Sequence, residues 1–295
     1  MTYLVLRCGT DAPLPASLPK DAHVHDLSAI PTRQELKVMD ALATEILPED
    51  PTPSLDEIAA QPDVSHLGTP QLAPQPIPEP LRTVVVGTDA ALSAVLTRAM
   101  RADYMWVEFG FVPAQLADAP STPASASTAA HNWGLPTDAE AAWSVALTAP
   151  VRPVPLIRND SGLAIAGSAA ICSWDGGEIT GEIIVDDAVL VRQEAGAGAW
   201  GTRLVPMLDA PGIVAATALG PLYGEPPAPK GFLARLRNRH TPEPGALDHE
   251  SVRTGRAVQA GGAEMRVVVD GVSAKRPVDR VTFYRHLRDL QIARP

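Results

Sequence analysis

The stretch that most constrains this chain is Arg82–Met100, RTVVVGTDAALSAVLTRAM. Thr83–Val86 is a β-branched run of the kind that forms a buried strand. Gly87-Thr88-Asp89 then makes a tight turn, and Thr88 or Asp89 caps the helix that follows. In that helix Leu92, Val95, Leu96, Ala99 and Met100 recur at helical spacing and form one apolar stripe. Strand, glycine turn and capped helix bring backbone N–H groups and the positive end of a helix dipole to one place. That geometry suits an anion, although ordinary βα turns of α/β domains share it.

The 295 residues suffice for two modest domains or one large one, and 45 % apolar residues supply a core. Thirty prolines require long loops or linkers. Only 4 % of residues are aromatic, and 24 basic against 34 acidic side chains leave a net charge of −10. Such a chain suits a small-molecule or protein partner and not a nucleic acid. Cys8 and Cys172 are distant and lack metal-like spacing, so they read as buried thiols of a reducing compartment. MTYLVLRCG lacks the basic start and long apolar core of a signal peptide, and the longest uncharged run, Ser161–Trp174, is too short to cross a bilayer. The expected location is cytoplasmic, with no transmembrane segment.

Along the chain, Tyr3–Leu6 and Ala22–Leu27 read as strands. Leu36, Met39, Leu42, Ala43 and Ile46 give a helix that starts near Pro31–Glu35. His23 and His25 share a strand face, but no third ligand has recognisable spacing, so no metal site is expected. Pro48–Pro80 carries nine prolines, reads as extended, and is expected to pack across the protein body. Met105–Val112 is a strand, Ala114–Ala130 a loop without apolar period, and Asp138–Leu147 a helix. From Val154 the period changes to short strands: 154–157, 163–171, 178–185, 189–194, 202–205, 213–218, 256–260, 265–269 and 281–285. Asn159-Asp160, Asp175-Gly176-Gly177 and Asp186-Asp187 are their turns, and Leu287–Ala293 closes the chain as a strand.

Two motifs invite other readings. Gly196–Gly201 is a literal G-x-G-x-x-G, but no amphipathic helix follows, so it reads as a hairpin tip or bulge. Gly231–Arg239 reads as one short basic helix. Lys230, Arg235, Arg237 and Arg239 with Phe232, Leu233 and Leu236 opposite suit surface solvation or docking on an anionic lipid surface.

The order of these parts resembles the diacylglycerol kinase catalytic-domain family, within the superfamily it shares with NAD kinases. Val-Gly87-Thr88-Asp89-Ala90-Ala91-Leu92 occupies the place of the family's GGDGT turn. Val112-Pro113, the Ser/Thr/Ala loop and Trp133-Gly134-Leu135-Pro136 follow in family order. Pro206–Val214 is similar to the P-x-A-x-x-D-D-G stretch, and Asp270-Gly271-Val272 stands where D-G-E would. The resemblance implies a two-domain lipid-kinase/NAD-kinase-like fold (α/β plus all-β). An α/β N-terminal domain would span 1–150, carry the Pro-rich insertion 48–80 and be completed by 287–295; an antiparallel β-rich domain would span 151–286.

The departures from that pattern bear on activity. Thr88 and Ala90 replace glycines that let backbone lie against phosphate, and Ala91 replaces the motif's final threonine. Ala124–Thr128 lacks the Asn and Asp of the family's GT-x-ND loop, and Val272 replaces its glutamate base. The resemblance therefore implies a lipid kinase fold with a decayed phosphate and catalytic site, a pseudokinase that binds or regulates. The alternative is an active ATP-dependent kinase of a lipid or of NAD, with ATP and magnesium as cofactors. Candidate catalytic residues are Asp89 and Asp270; candidate cofactor contacts are Gly87, Thr88, Asp89, Ala90, Ser127 and Thr128. Asp186 and Asp187 are substitutes of the second rank. Candidate partners are a lipid or nucleotide ligand, a protein, and a second copy of this chain.

Overall fold

The structure, a computed structural model, describes residues 1–47, 68–73, 79–114, 127–193, 198–223 and 243–295. Its first sheet is parallel. Strands β1 (Thr2–Cys8), β2 (His23–Leu27), β3 (Leu81–Gly87), β4 (Glu108–Pro113) and β16 (Gln291–Ile292) lie in the order β16-β4-β3-β1-β2. All seven residues of β3 are buried because both faces of the sheet are covered. Leu4, Leu6 and Val85 pack with helices α1 (Lys37–Ile46) and α2 (Asp89–Arg101) on one face. Val5, Val84 and Val86 pack with Trp143 and Ala146 of helix α4 (Ala139–Thr148) on the other. A short helix, α3 (Thr128–Trp133), precedes α4 and ends on Gly134 in the left-handed region.

The second sheet is antiparallel and has eleven strands. Its elements are β5 (Ile157–Asn159), β6 (Ala164–Ile165), β7 (Ala169–Ser173), β8 (Gly181–Val185), β9 (Ala188–Gln193), β10 (Gly201–Pro206), β11 (Ile213–Ala218), β12 (Arg253–Gly255), β13 (Ala257–Val269), β14 (Val272–Ser273) and β15 (Val278–Arg285). The main path runs β12-β11-β10-β7-β13-β15-β5-β6, around a core that includes Ile171, Leu204, Val258 and Phe283. The α/β plus antiparallel β architecture expected from the sequence is present.

Several expected elements differ in detail. Residues 128–130 are helical, because Ser127 caps α3 through Ala130 N and Asp89 supplies further acceptors. Residues 115–126 lie outside the described residues. The strand expected over 163–171 is broken into β6 and β7, since the N–H groups of 166–168 turn to the Asp270 carboxylate. The two strands expected over 256–260 and 265–269 are one, β13, which stays continuous through a register shift between Gly261 and Met265. Strand β4 starts at Glu108, after a buried turn through Met105–Val107, and β5 starts at Ile157. Only Gln291–Ile292 of the last stretch is strand, although Leu290 and Ala293 also bridge to Val154 and Val151. Gly201 opens β10 at φ 134°, where a Cβ would stand 2.0 Å from the Ile171 carbonyl oxygen. This glycine therefore serves close strand approach and no nucleotide.

Part of the proline-rich stretch is anchored. Arg285 and Asp289 form a buried ion pair (2.8 Å), Arg285 donates to the Gly68 carbonyl, and Asp289 accepts from Gln71 N–H. Gln291 holds Ala73 N–H and the Gln71 carbonyl, and Pro70 is buried. Residues 68–73 thus pack on the protein body; 48–67 and 74–78 lie outside the described residues, as does the basic stretch 230–240. Cys8 and Cys172 are free and buried, and burial pushes their thiols up to about 12 and about 11. Among the described residues, no helix is long and apolar enough to cross a membrane. No group of three or more His, Cys, Asp or Glu among them could hold a metal ion.

Candidate functional site

The turn after β3 meets the second sheet at one small knot of hydrogen bonds. Thr88 is the N-cap of α2, and its Oγ1 accepts from Ala91 N–H at 3.3 Å. Asp89 is thereby free to point elsewhere. Its Oδ1 accepts from Ser127 Oγ, and its Oδ2 accepts from the N–H groups of Thr128 (2.8 Å) and Ala129 (3.2 Å). A carboxylate has about four lone-pair positions, so protein donors fill most of them. Gly87 sits close under the turn, where a Cβ would lie 3.1 Å from Cys8 Cβ and 3.3 Å from Ala91 Cβ.

Asp270 comes from the other sheet, on the turn after β13 at φ 48°. Its carboxylate accepts three backbone N–H groups, from Ala166 (2.8 Å), Gly167 (2.7 Å) and Ser168 (2.9 Å). Burial pushes the Asp270 carboxyl up to about 7 against the pull of those donors, and the nearby negative charge of Asp89 adds to the rise.

Gly167 stands between the two acids. Its N–H goes to Asp270, its carbonyl accepts from Asn132 Nδ2 (3.1 Å), and a Cβ on it would lie 2.5 Å from Asp89 Oδ2. Only a residue without a side chain fits there. Arg203 completes the knot by donating to Ser168 Oγ (3.2 Å) and Thr128 Oγ1 (3.4 Å).

The expected site residues Asp89, Ser127, Thr128 and Asp270 are thus brought together, with Gly87 and Thr88 at their edge. Ala90 and Val272 instead face a cavity of about 560 Å³ between the flank of α2 and strands β13–β15. Its walls include Ala94, Val267, Val269 and Val281. Ser93 and Thr97 tie that flank to β6 through the Ala164 carbonyl (2.7 Å) and N–H (2.9 Å). Asp186 is a turn residue at φ 52° whose carboxylate accepts from the N–H groups of Arg256 and Ala257, away from this knot. Gly167, Asn132, Arg203 and the cavity were not expected from sequence. The one available signal was a Gly-Ser pair interrupting the apolar run 163–171.

No family model matches the sequence. No curated protein matches it either. A solved structure described as a diacylglycerol kinase from Bacillus anthracis str. Sterne aligns at a TM-score of 0.56, and a second structure from the same organism at 0.58. Each has 10 % identity and covers 99 % of this chain and 97 % of the other. An NAD kinase from Archaeoglobus fulgidus aligns at a TM-score of 0.43 with 11 % identity, over 100 % of this chain and 94 % of the other. At 10 % identity the likeness establishes the fold: this chain folds as diacylglycerol kinases do.

Proposed function

We propose that this protein is a catalytically silent, diacylglycerol kinase-like binding protein, with a ligand site between its two sheets and no phosphoryl transfer. The observation that carries this reading is the Asp89 carboxylate, which accepts from Ser127, Thr128 and Ala129. Phosphoryl transfer relies on metal ions and fixed donors that neutralise the transferring phosphoryl group. Magnesium–ATP does not fit this arrangement, because the acid nearest the turn caps α3 instead of facing a metal. Thr88 and Ala90 put side-chain carbons where the resembling family has glycine. Val272, exposed at the place of the family's base, cannot accept a proton.

A second reading, an ATP-dependent kinase of a lipid or of NAD, draws on one observation. The Asp270 carboxyl binds its proton near neutrality, as a general base would. In that reading Asp89 must release its three donors to meet magnesium. The assay that separates the two is transfer of labelled phosphate from ATP–Mg²⁺ to diacylglycerol or NAD. The binding-protein reading expects no turnover above a protein-free control. Sustained transfer that Asp89→Asn abolishes overturns it.

A further inference from the structure

We propose that the cavity along helix α2 binds an anionic amphiphile, a single alkyl or acyl chain ending in a phosphate or carboxylate. This deepens the binding reading above and rests on it for the site's freedom from catalysis. The volume of about 560 Å³ falls within the range of small-molecule sites, about 300–1,000 Å³.

The walls select the chain. Val267, Val269 and Val281 come from the antiparallel sheet, and Ala90 and Ala94 come from the helix flank. The mouth is apolar as well. Ile30, Leu163 and Val272 all line the cavity and are 46 %, 40 % and 45 % exposed. Isolated exposed aliphatics need no explanation, but three that line one cavity add exposed apolar surface to it. Where the resembling family has an acid, this mouth has the isopropyl group of Val272.

The rim selects the head group. Four arginines line the cavity (Arg33, Arg98, Arg101 and Arg280) against one carboxylate, Asp160, in a chain whose net charge is −10. Arg98 is paired with Asp40. Arg101 donates to the carbonyls of Gly162 and Ser161, so its charge is not neutralised by an acid. Arg33 and Arg280 are exposed and have no ion-pair partner among the described residues. Lys275 and Arg276 follow on the turn between β14 and β15, beside Ala274 of the cavity wall. Concentrating positive charge at an apolar mouth of an acidic protein matches an anion at the end of a hydrocarbon chain. A neutral lipid would leave the guanidinium groups unused, and a free phosphate would leave the apolar walls empty.

The test is calorimetric titration of the full chain, without ATP, with four probes kept below their micelle concentrations. Dodecyl phosphate and dodecanoate are expected to bind saturably at one site, while dodecanol and inorganic phosphate bind at least about tenfold more weakly. The double variant Arg33→Gln/Arg280→Gln is expected to weaken dodecyl phosphate about tenfold, because two exposed guanidinium groups no longer meet the anion. Ala94→Phe, which fills the cavity from a half-buried helix position, is expected to abolish binding; circular dichroism verifies that each variant is folded.

Absence of binding by both anionic amphiphiles overturns the proposal. So does dodecanol binding as tightly as dodecanoate, or inorganic phosphate binding as tightly as dodecyl phosphate. Binding that survives Ala94→Phe places the ligand elsewhere and overturns it too. Because no ATP is present, these outcomes are independent of the phosphate-transfer assay. A chain that binds dodecyl phosphate and also phosphorylates lipid would refute the silent reading and keep this site.

Discussion

The N-terminal turn of helix α2 and the flank of the same helix meet the second sheet in opposite ways. At the turn, Asp89, Gly167 and Asp270 are packed into a knot in which backbone N–H groups occupy both carboxylates. Along the flank, Ser93 and Thr97 hold β6 by single hydrogen bonds, and beside them a cavity remains open. In the proposed reading one helix carries a structural closure where its dipole would favour an anion, and a ligand-sized space where it offers only small side chains. A glycine-turn motif does not by itself leave an acid open to a metal; here the neighbouring loop donates to the acceptor oxygens of Asp89.

The largest expected effect concerns the closed end and pH. The folded Asp270 carboxyl titrates near 7, above its ordinary value. Between about pH 4 and pH 7 the folded state then holds a proton that the unfolded chain has released, so stability falls as pH rises through that window. The expected loss is on the order of 4 kcal/mol, and Asp270→Asn should flatten the slope in urea unfolding. Glu35, held down to about 2 by donors from Thr32 and Ser28, acts in the opposite direction at lower pH. Its contribution is present above about pH 4.5 and is lost as pH falls toward 2. A wild-type slope that Asp270→Asn leaves unchanged contradicts the assignment.

Next in size is the cap itself. Asp89→Ala removes the acceptor of two N–H groups and one hydroxyl at the start of α3, with an expected cost of about 2–3 kcal/mol in urea unfolding. A carboxylate held open for a metal would be removed with little loss or a gain. Gly167→Ala follows, at about 2 kcal/mol, because its Cβ would meet Asp89 Oδ2 at 2.5 Å and Ala129 N at 2.9 Å. The flank should behave differently. Ala94→Phe directs its ring into the cavity, and its expected effect on stability is within about 0.5 kcal/mol. A penalty as large as that of Gly167→Ala would mean that the flank is packed like the turn.

Much of the fold was readable from local pattern. The run Thr83–Val86, the capping role of Thr88 and the stripe from Leu92 to Met100 follow from rules that act within a few residues, and all of those stripe residues are buried. The elements that depend on distant partners were not readable. Helix α3 starts where a Ser/Thr/Ala run shows no apolar period: Ser127 caps it locally, but the acceptor for its first N–H groups is Asp89, 39 residues before Thr128. The apolar run 163–171 breaks at Gly167, because Asp270, 103 residues later, takes its N–H. Asp89 and Asp270 were singled out from the sequence as candidates, but their bonding was not. The same family resemblance is compatible with carboxylates that are free or filled, and only the placement of 127–129 and 166–168 distinguishes them. The cavity was invisible for a related reason: its walls and its arginines come from segments far apart in the chain.

The central claim is that the turn at Gly87–Asp89 is closed to nucleotide. A ligand that binds only the folded state raises its melting temperature by mass action, so thermal unfolding with and without millimolar ATP–Mg²⁺ measures this directly. The account predicts superimposable melting curves for the wild-type chain. A rise of several degrees with ATP–Mg²⁺, lost in Asp89→Asn, would contradict it.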